Sequence, residues 1–193
     1  MRPDGTMGGR RLRAALCGTA MALGSVGAAA DEGDEQGLRA RAEQVLNQVR
    51  QQVARCDAGH PATSVAVAQD ATAGGDPGSD RPPLRWNPQL AEAAARHTGA
   101  MARTRVFAHV GSDGTTVRER VAATGYRWQA VAETLAAGQP DLIQAVRDWL
   151  ASASHCAALV DARYTEFGIA RSSAVHPSDA YRTYWTLVLG RPR

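Results

Sequence analysis

The chain has 193 residues, 44% of them hydrophobic, with a formal net charge of +3 and three cysteines. That length suits one globular domain. The first thirty residues carry the whole excess charge (four Arg, one Asp), so the remainder is neutral and offers no basic footprint for nucleic acid.

The elements follow in chain order. Arg2, Arg10, Arg11 and Arg13 precede an uncharged run at 14–30. Ala28, Ala29 and Ala30 before Asp31 have the form of a cleavage site. Residues 1–30 therefore read as a secretory signal peptide, and the protein as exported, periplasmic or secreted. No transmembrane segment remains after signal cleavage. Arg10-Arg11 is a weak twin-arginine signal, and Cys17, in the middle of the apolar run, leaves with the leader. Residues 31–37 are acidic and Gly-containing, and read as a flexible N-terminus.

Leu38, Ala42, Val45, Leu46, Val49 and Val53 then recur at helical spacing. Residues 57–83 are rich in Gly, Asp and Pro and read as a surface loop insertion, with a strand-like run at 64–68. Asn87 is suited to cap a helix and Pro88 to open it. On that helix Leu90, Ala94, His97 and Met101 share a face, so His97 reads as a buried histidine bonded to backbone rather than as a ligand. Thr115, Thr116 or Ser112 can cap a short helix that Gly125 stops. Asp141 caps another, with Ile143, Val146, Trp149 and Leu150 inward. Runs at 164–172 and 181–189 are strand-like, and a loop at 173–179 containing His176 and Pro177 joins them as an antiparallel hairpin. His176 reads as solvated. Helices followed by a hairpin imply an α+β domain.

Cys56 and Cys156 remain once the leader is removed. In an exported protein this pair is most simply a disulfide, against the alternative of two buried thiols. It closes a loop of about 100 residues, for which chain entropy gives roughly 4–5 kcal/mol.

Three polar signals lie between residues 107 and 156: His109, Glu133 and His155. Each can bind a metal or move a proton. Two neutral imidazoles can hold zinc with water completing the shell, and Glu133, the candidate catalytic residue, can orient or deprotonate that water. The same three side chains can equally form a hydrogen-bonded network that fixes loops. Their spacings are not local ligand patterns, so only the fold can unite them. Cys156 beside His155 reads as half of a disulfide rather than as a thiolate nucleophile. Ser152 and Ser154 lack a nucleophile elbow.

Taken together, these residues resemble the bacterial branch of the CAP superfamily, the SCP-like domains of cysteine-rich secretory, antigen 5 and pathogenesis-related proteins. The resemblance covers residues 38–192. It rests on Leu84-x-Trp86 with Leu90, Ala94, His97 and Met101; on Phe107-x-His109 with Asp113-Gly114 and Arg120; on Gly125-Tyr126; on Glu133 with Gly138; on Trp149-x-x-Ser152-x-x-His155; and on Thr165-x-x-Gly168 followed by Tyr184-Trp185. It implies a three-layer α-β-α sandwich with a small antiparallel sheet between helices. It also implies a cleft holding His109, Glu133 and His155, and a disulfide between Cys56 and Cys156. Two positions depart from the family pattern. Ala132-Glu133-Thr134 stands where the family has Gly-Glu-Asn, and the second family glutamate has only Asp148 as a loose counterpart. The expected function is a non-catalytic binding module for an extracytoplasmic lipid, small ligand or protein, with His109 and His155 as candidate ligands for a divalent metal, zinc first. The alternative is a metal-dependent hydrolase or peptidase using His109, His155 and Glu133.

Overall fold

The computed structural model describes residues 26–53, 56 and 81–193, with side chains from residue 35 onward. Residues 1–25 of the expected leader, the expected strand-like run at 64–68 and most of the expected loop at 57–83 lie outside the described residues.

Helix α1 (Val26–Gln52) carries the apolar stripe to the core, with Ala42, Val45, Leu46 and Val49 fully buried. It begins at Val26, so helical backbone runs through 31–37, where composition predicts an irregular end. Once a helix is nucleated, each further residue adds one hydrogen bond at little cost, and the packed stripe supplies the nucleus.

Strand β1 (Arg85–Trp86) leads directly into α2 (Pro88–Thr104). Asn87 caps α2 by accepting from the Gln89 and Leu90 amides, with Pro88 at the first position. Helix α3 (Val117–Ala123) opens on a capping box in which Thr116 and Glu119 satisfy each other's amides. Gly125, at φ +81°, ends it in a conformation that suits glycine. Strand β2 (Trp128–Ala137) follows, then α4 (Leu142–Ala151) capped by Asp141, then α5 (Ala153–Val160). Strands β3 (Glu166–Ser173) and β4 (Thr183–Pro192) form the expected antiparallel hairpin.

The sheet order is β1-β3-β4-β2. β2 and β3 flank β4 antiparallel, whereas β1 pairs parallel with β3, so the sheet is mixed rather than purely antiparallel. The cause is local: the chain must run from β1 into α2 along the same direction as β3. β4 is buried on both faces from Thr183 to Gly190, as a central strand between two helical layers requires. Its odd residues Trp185, Leu187 and Leu189 join the core under α1, α4 and α5. Its even residues Tyr184 and Val188 join the cores under α2 and α3. The result is the α-β-α sandwich. Gly168 permits one close contact, because a Cβ there would stand 2.0 Å from the Ala91 amide nitrogen of α2.

Cys56 and Cys156 form a disulfide with Cα atoms 5.6 Å apart, tying the chain beyond α1 to α5. Near it the buried Arg50 guanidinium donates to the carbonyls of Leu159, Asp161, Pro82 and Tyr164. A buried cation satisfied by four carbonyls fixes the loop ahead of β3 against α1.

Candidate functional site

Glu133 lies on β2, a strand that the local sequence pattern does not announce. Its neighbours two residues away, Val131 and Leu135, pack under α2 and α3, so alternation turns Glu133 to the same side. Its side chain is 2% exposed. Both carboxylate oxygens are engaged. Oε1 accepts from His109 Nδ1 at 2.9 Å and Oε2 accepts from the Arg120 guanidinium at 2.7 Å.

Arg120, buried on α3, also donates to the carbonyls of Thr115 at 2.6 Å and His109 at 3.0 Å. It therefore compensates the buried charge of Glu133 and pins the loop that carries His109. The 111–115 segment is a tight turn, closed by Gly114 N–H to Gly111 carbonyl and by Asp113 accepting from Thr115. A buried carboxylate needs such a partner, since an unpaired one costs several kcal/mol.

The three histidines of this region sit in different surroundings. His97 on α2 is buried and donates from Nε2 to the Ala108 carbonyl at 2.9 Å; that nitrogen is 3.9 Å from Glu133 Oε1. It is thus the backbone-bonded histidine that its place on the apolar face predicts. Burial holds its pKa below the ordinary value. His109 is exposed, and its bond to Glu133 raises its pKa. Because the carboxylate accepts at Nδ1, that nitrogen carries the proton and Nε2 is left for solvent or a ligand. His155, on α5, has its ring centroid 6.5 Å from that of His109. It makes no hydrogen bond to a described residue. Burial, then the neighbouring charge of His109, lowers its pKa. α5 belongs to the opposite helical layer, and it contacts β2, the edge strand, where the two imidazoles meet.

The other sequence candidates lie apart from this cluster. Asp148 accepts from Gln139 and Gln144 on the exposed side of α4. Ser152 and Ser154 bond each other at 3.2 Å. Cys156 is in the disulfide, which removes it as a thiolate nucleophile. His176 is exposed and touches only the Arg103 carbonyl, at 3.3 Å. Among the described residues no group of three or more His, Cys, Asp or Glu could hold a metal ion.

The residue whose role the sequence does not disclose is Arg120. It appears there as a family position without a function. The usable signal was the capping box at Thr116 and Glu119, which sets the phase of α3 and puts Arg120 beside Val121 on its buried side.

Comparison with known proteins bears on the family and the fold. The chain matches the CAP family model, described as the cysteine-rich secretory protein family, over residues 43–189. A stretch of 86 residues is 30% identical to the uncharacterized membrane protein YlbC of Bacillus subtilis strain 168, covering 45% of this chain and 25% of that protein. The fold is similar to an extracellular protein containing a SCP domain from Bacillus anthracis, at 25% identity and TM-score 0.50, covering 58% of this chain and 35% of that one. It is also similar to an outer surface protein of Borrelia burgdorferi, at 24% identity and TM-score 0.51, covering 57% of this chain and 78% of that one. The chain thus spans about a quarter of the curated relative it matches.

Proposed function

The chain belongs to the cysteine-rich secretory protein (CAP) family, and from that premise we propose that it is an exported, non-catalytic binding module of the cell envelope or extracellular space. Its ligand-facing groups are the imidazoles of His109 and His155, and Glu133 is a positioning residue. The observation that carries this reading is the state of Glu133. A general base must offer a free carboxylate oxygen to water, and this side chain is 2% exposed with one oxygen held by His109 and the other by Arg120. The hydrolase alternative needs water to reach a carboxylate that is almost fully buried and already bonded to both Arg120 and His109.

A divalent metal fits this donor set only as an open site with two protein ligands. The Glu133 bond fixes the proton of His109 on Nδ1 and so prepares Nε2 for a metal, as a carboxylate does behind many metal-bound histidines. His155 supplies the second nitrogen, and water would complete the shell. When bound, the ion would supply a Lewis-acidic anchor for an anionic or carbonyl group of the partner.

The test is bound zinc and hydrolytic rate in the purified protein, compared with His109→Ala, His155→Ala and Glu133→Gln. For a binding module, zinc should weaken in both histidine variants, and no form should show zinc-dependent hydrolysis of peptides or esters. Turnover that requires zinc and disappears in Glu133→Gln would establish the hydrolase instead.

A further inference from the structure

One edge of the sheet lacks a partner among the described residues. β3 pairs with β4 along its whole length, from Glu166↔Gly190 to Ser173↔Thr183. On the other side β1 reaches only Glu166 and Phe167, because Asn87 caps α2 directly after Trp86. Residues 168–173 have no described backbone partner on that side.

Strand geometry identifies the groups left over. Successive residues turn their N–H and C=O to alternate sides. The Phe167 carbonyl accepts from the Asn87 amide at 2.8 Å, which is the β1 side. Ile169, Arg171 and Ser173 therefore turn their main-chain groups to the open edge. Arg171 and Ser173 are exposed.

A groove of about 440 Å³ runs along this edge, walled by Glu35 and Leu38 of α1, by Ala91 and Ala95 of α2, and by β3 from Ile169 to Ser173, so that it carries one acidic side chain, Glu35, as well as the cation of Arg171. Its volume falls in the range of roughly 300–1,000 Å³ common for ligand sites. The small Ala91 and Ala95 side chains leave the strand uncovered, and the Gly168–Ala91 contact fixes that wall.

We propose that this groove is a binding site for an extended peptide, which adds to β3 as a further strand in the line that β1 leaves after Trp86. The main-chain groups without a described partner select that occupant. They offer alternating donors and acceptors repeating every two residues, about 6.6 Å, and a peptide backbone is the ligand that carries the complementary repeat. Arg171, whose guanidinium lies 5.6 Å from the centroid of the Trp185 ring, stands on the strand where an acidic side chain of the peptide would meet it. The groove lies at the β1–β3 edge and the imidazole pair at the β2 edge, so this site is independent of the function proposed above.

The experiment uses the ¹⁵N-labelled protein and the capped peptide acetyl-Val-Glu-Val-Glu-Val-amide, raised to about 1 mM, the scale of weak recognition. Shifts and slowed exchange are expected at the amides of Ile169, Arg171 and Ser173. Two peptide analogues, N-methylated on alternate residues, separate strand addition from loose apolar contact. One should lose tenfold or more in affinity and the other should bind like the parent. Arg171→Pro, which removes one outward donor, should fold and bind more weakly; if it does not fold, Ala95→Trp blocks the groove from the exposed face of α2. His109→Ala should bind the peptide unchanged. Equal binding of both analogues, absence of shifts at 168–173, or loss of binding in His109→Ala overturns the assignment.

Discussion

Glu133 and Arg120 form the buried charge pair on which the site depends, and each carries the other's counter-charge. Arg120→Ala leaves the carboxylate buried without its cation, so the expected loss is about 3–5 kcal/mol by chemical denaturation, far above the usual effect of a surface substitution. The histidines make the stability pH-dependent in opposite senses. His109 has a raised pKa through Glu133, so its contribution is complete below the ordinary value of 6.5 and is lost as pH rises through the raised value. His97 has a lowered pKa through burial, so its contribution is complete above 6.5 and is lost as pH falls through the lowered value. The destabilisation caused by His109→Ala should therefore be larger at pH about 5.5 than at pH about 8.5, measured by urea unfolding at both. An equal difference at the two pH values would show that the ion pair does not stabilise the fold.

At the scale of elements, two contacts set how the layers meet. The disulfide ties the chain after α1 to α5, one residue from His155. Replacing Cys56 and Cys156 by serine should cost roughly 2–5 kcal/mol, and should broaden the His155 ring signals before those of His97, which sits in the other layer. Gly168 is the second contact. A methyl group there would meet the Ala91 backbone at 2.0 Å, and a helix backbone cannot step aside as a side-chain tip can. Gly168→Ala should cost at least about 1–3 kcal/mol, with a fall in melting temperature as the readout. Elements whose signals are local were legible in the sequence. Asn87-Pro88 and Asp141 are caps that act within one turn, Thr116 is one of the three candidate caps read for α3, and the apolar stripes of α1, α2 and α4 follow their own period. β2 was not legible. Its sequence, Trp128-Gln-Ala-Val-Ala-Glu-Thr-Leu-Ala-Ala137, is rich in alanine, a weak strand former, and becomes a strand by pairing with β4 from Trp128↔Pro192 to Ala137↔Tyr184. β1 escaped notice for a related reason: two residues carry no periodicity.

For the whole molecule, residue type and the family resemblance named His109, Glu133 and His155, but their grouping comes from a loop, a strand and a helix meeting at one sheet edge. That meeting depends on long-range pairing, which no local spacing encodes. It also decides the chemistry. Under the function proposed above, Glu133 is held between Arg120 and His109, and the imidazoles of His109 (exposed) and His155 (half-buried) hold a ligand rather than activate water. A metal on those imidazoles must compete with protons, and because Glu133 raises the pKa of His109 that competition begins above the ordinary 6.5, so zinc affinity should weaken as pH falls through that region; calorimetry at pH about 5.5 and 8.5 checks the direction. The most direct measurement of this site is the ¹H–¹⁵N spectrum of the histidine rings during a zinc titration at neutral pH. His109 Nε2 and a ring nitrogen of His155 should respond together, while His109 Nδ1 keeps its proton, donated to Glu133, and the His97 signals stay still. Zinc binding that leaves both rings unchanged, or that removes the proton from His109 Nδ1, would contradict a two-imidazole site positioned by a sealed carboxylate.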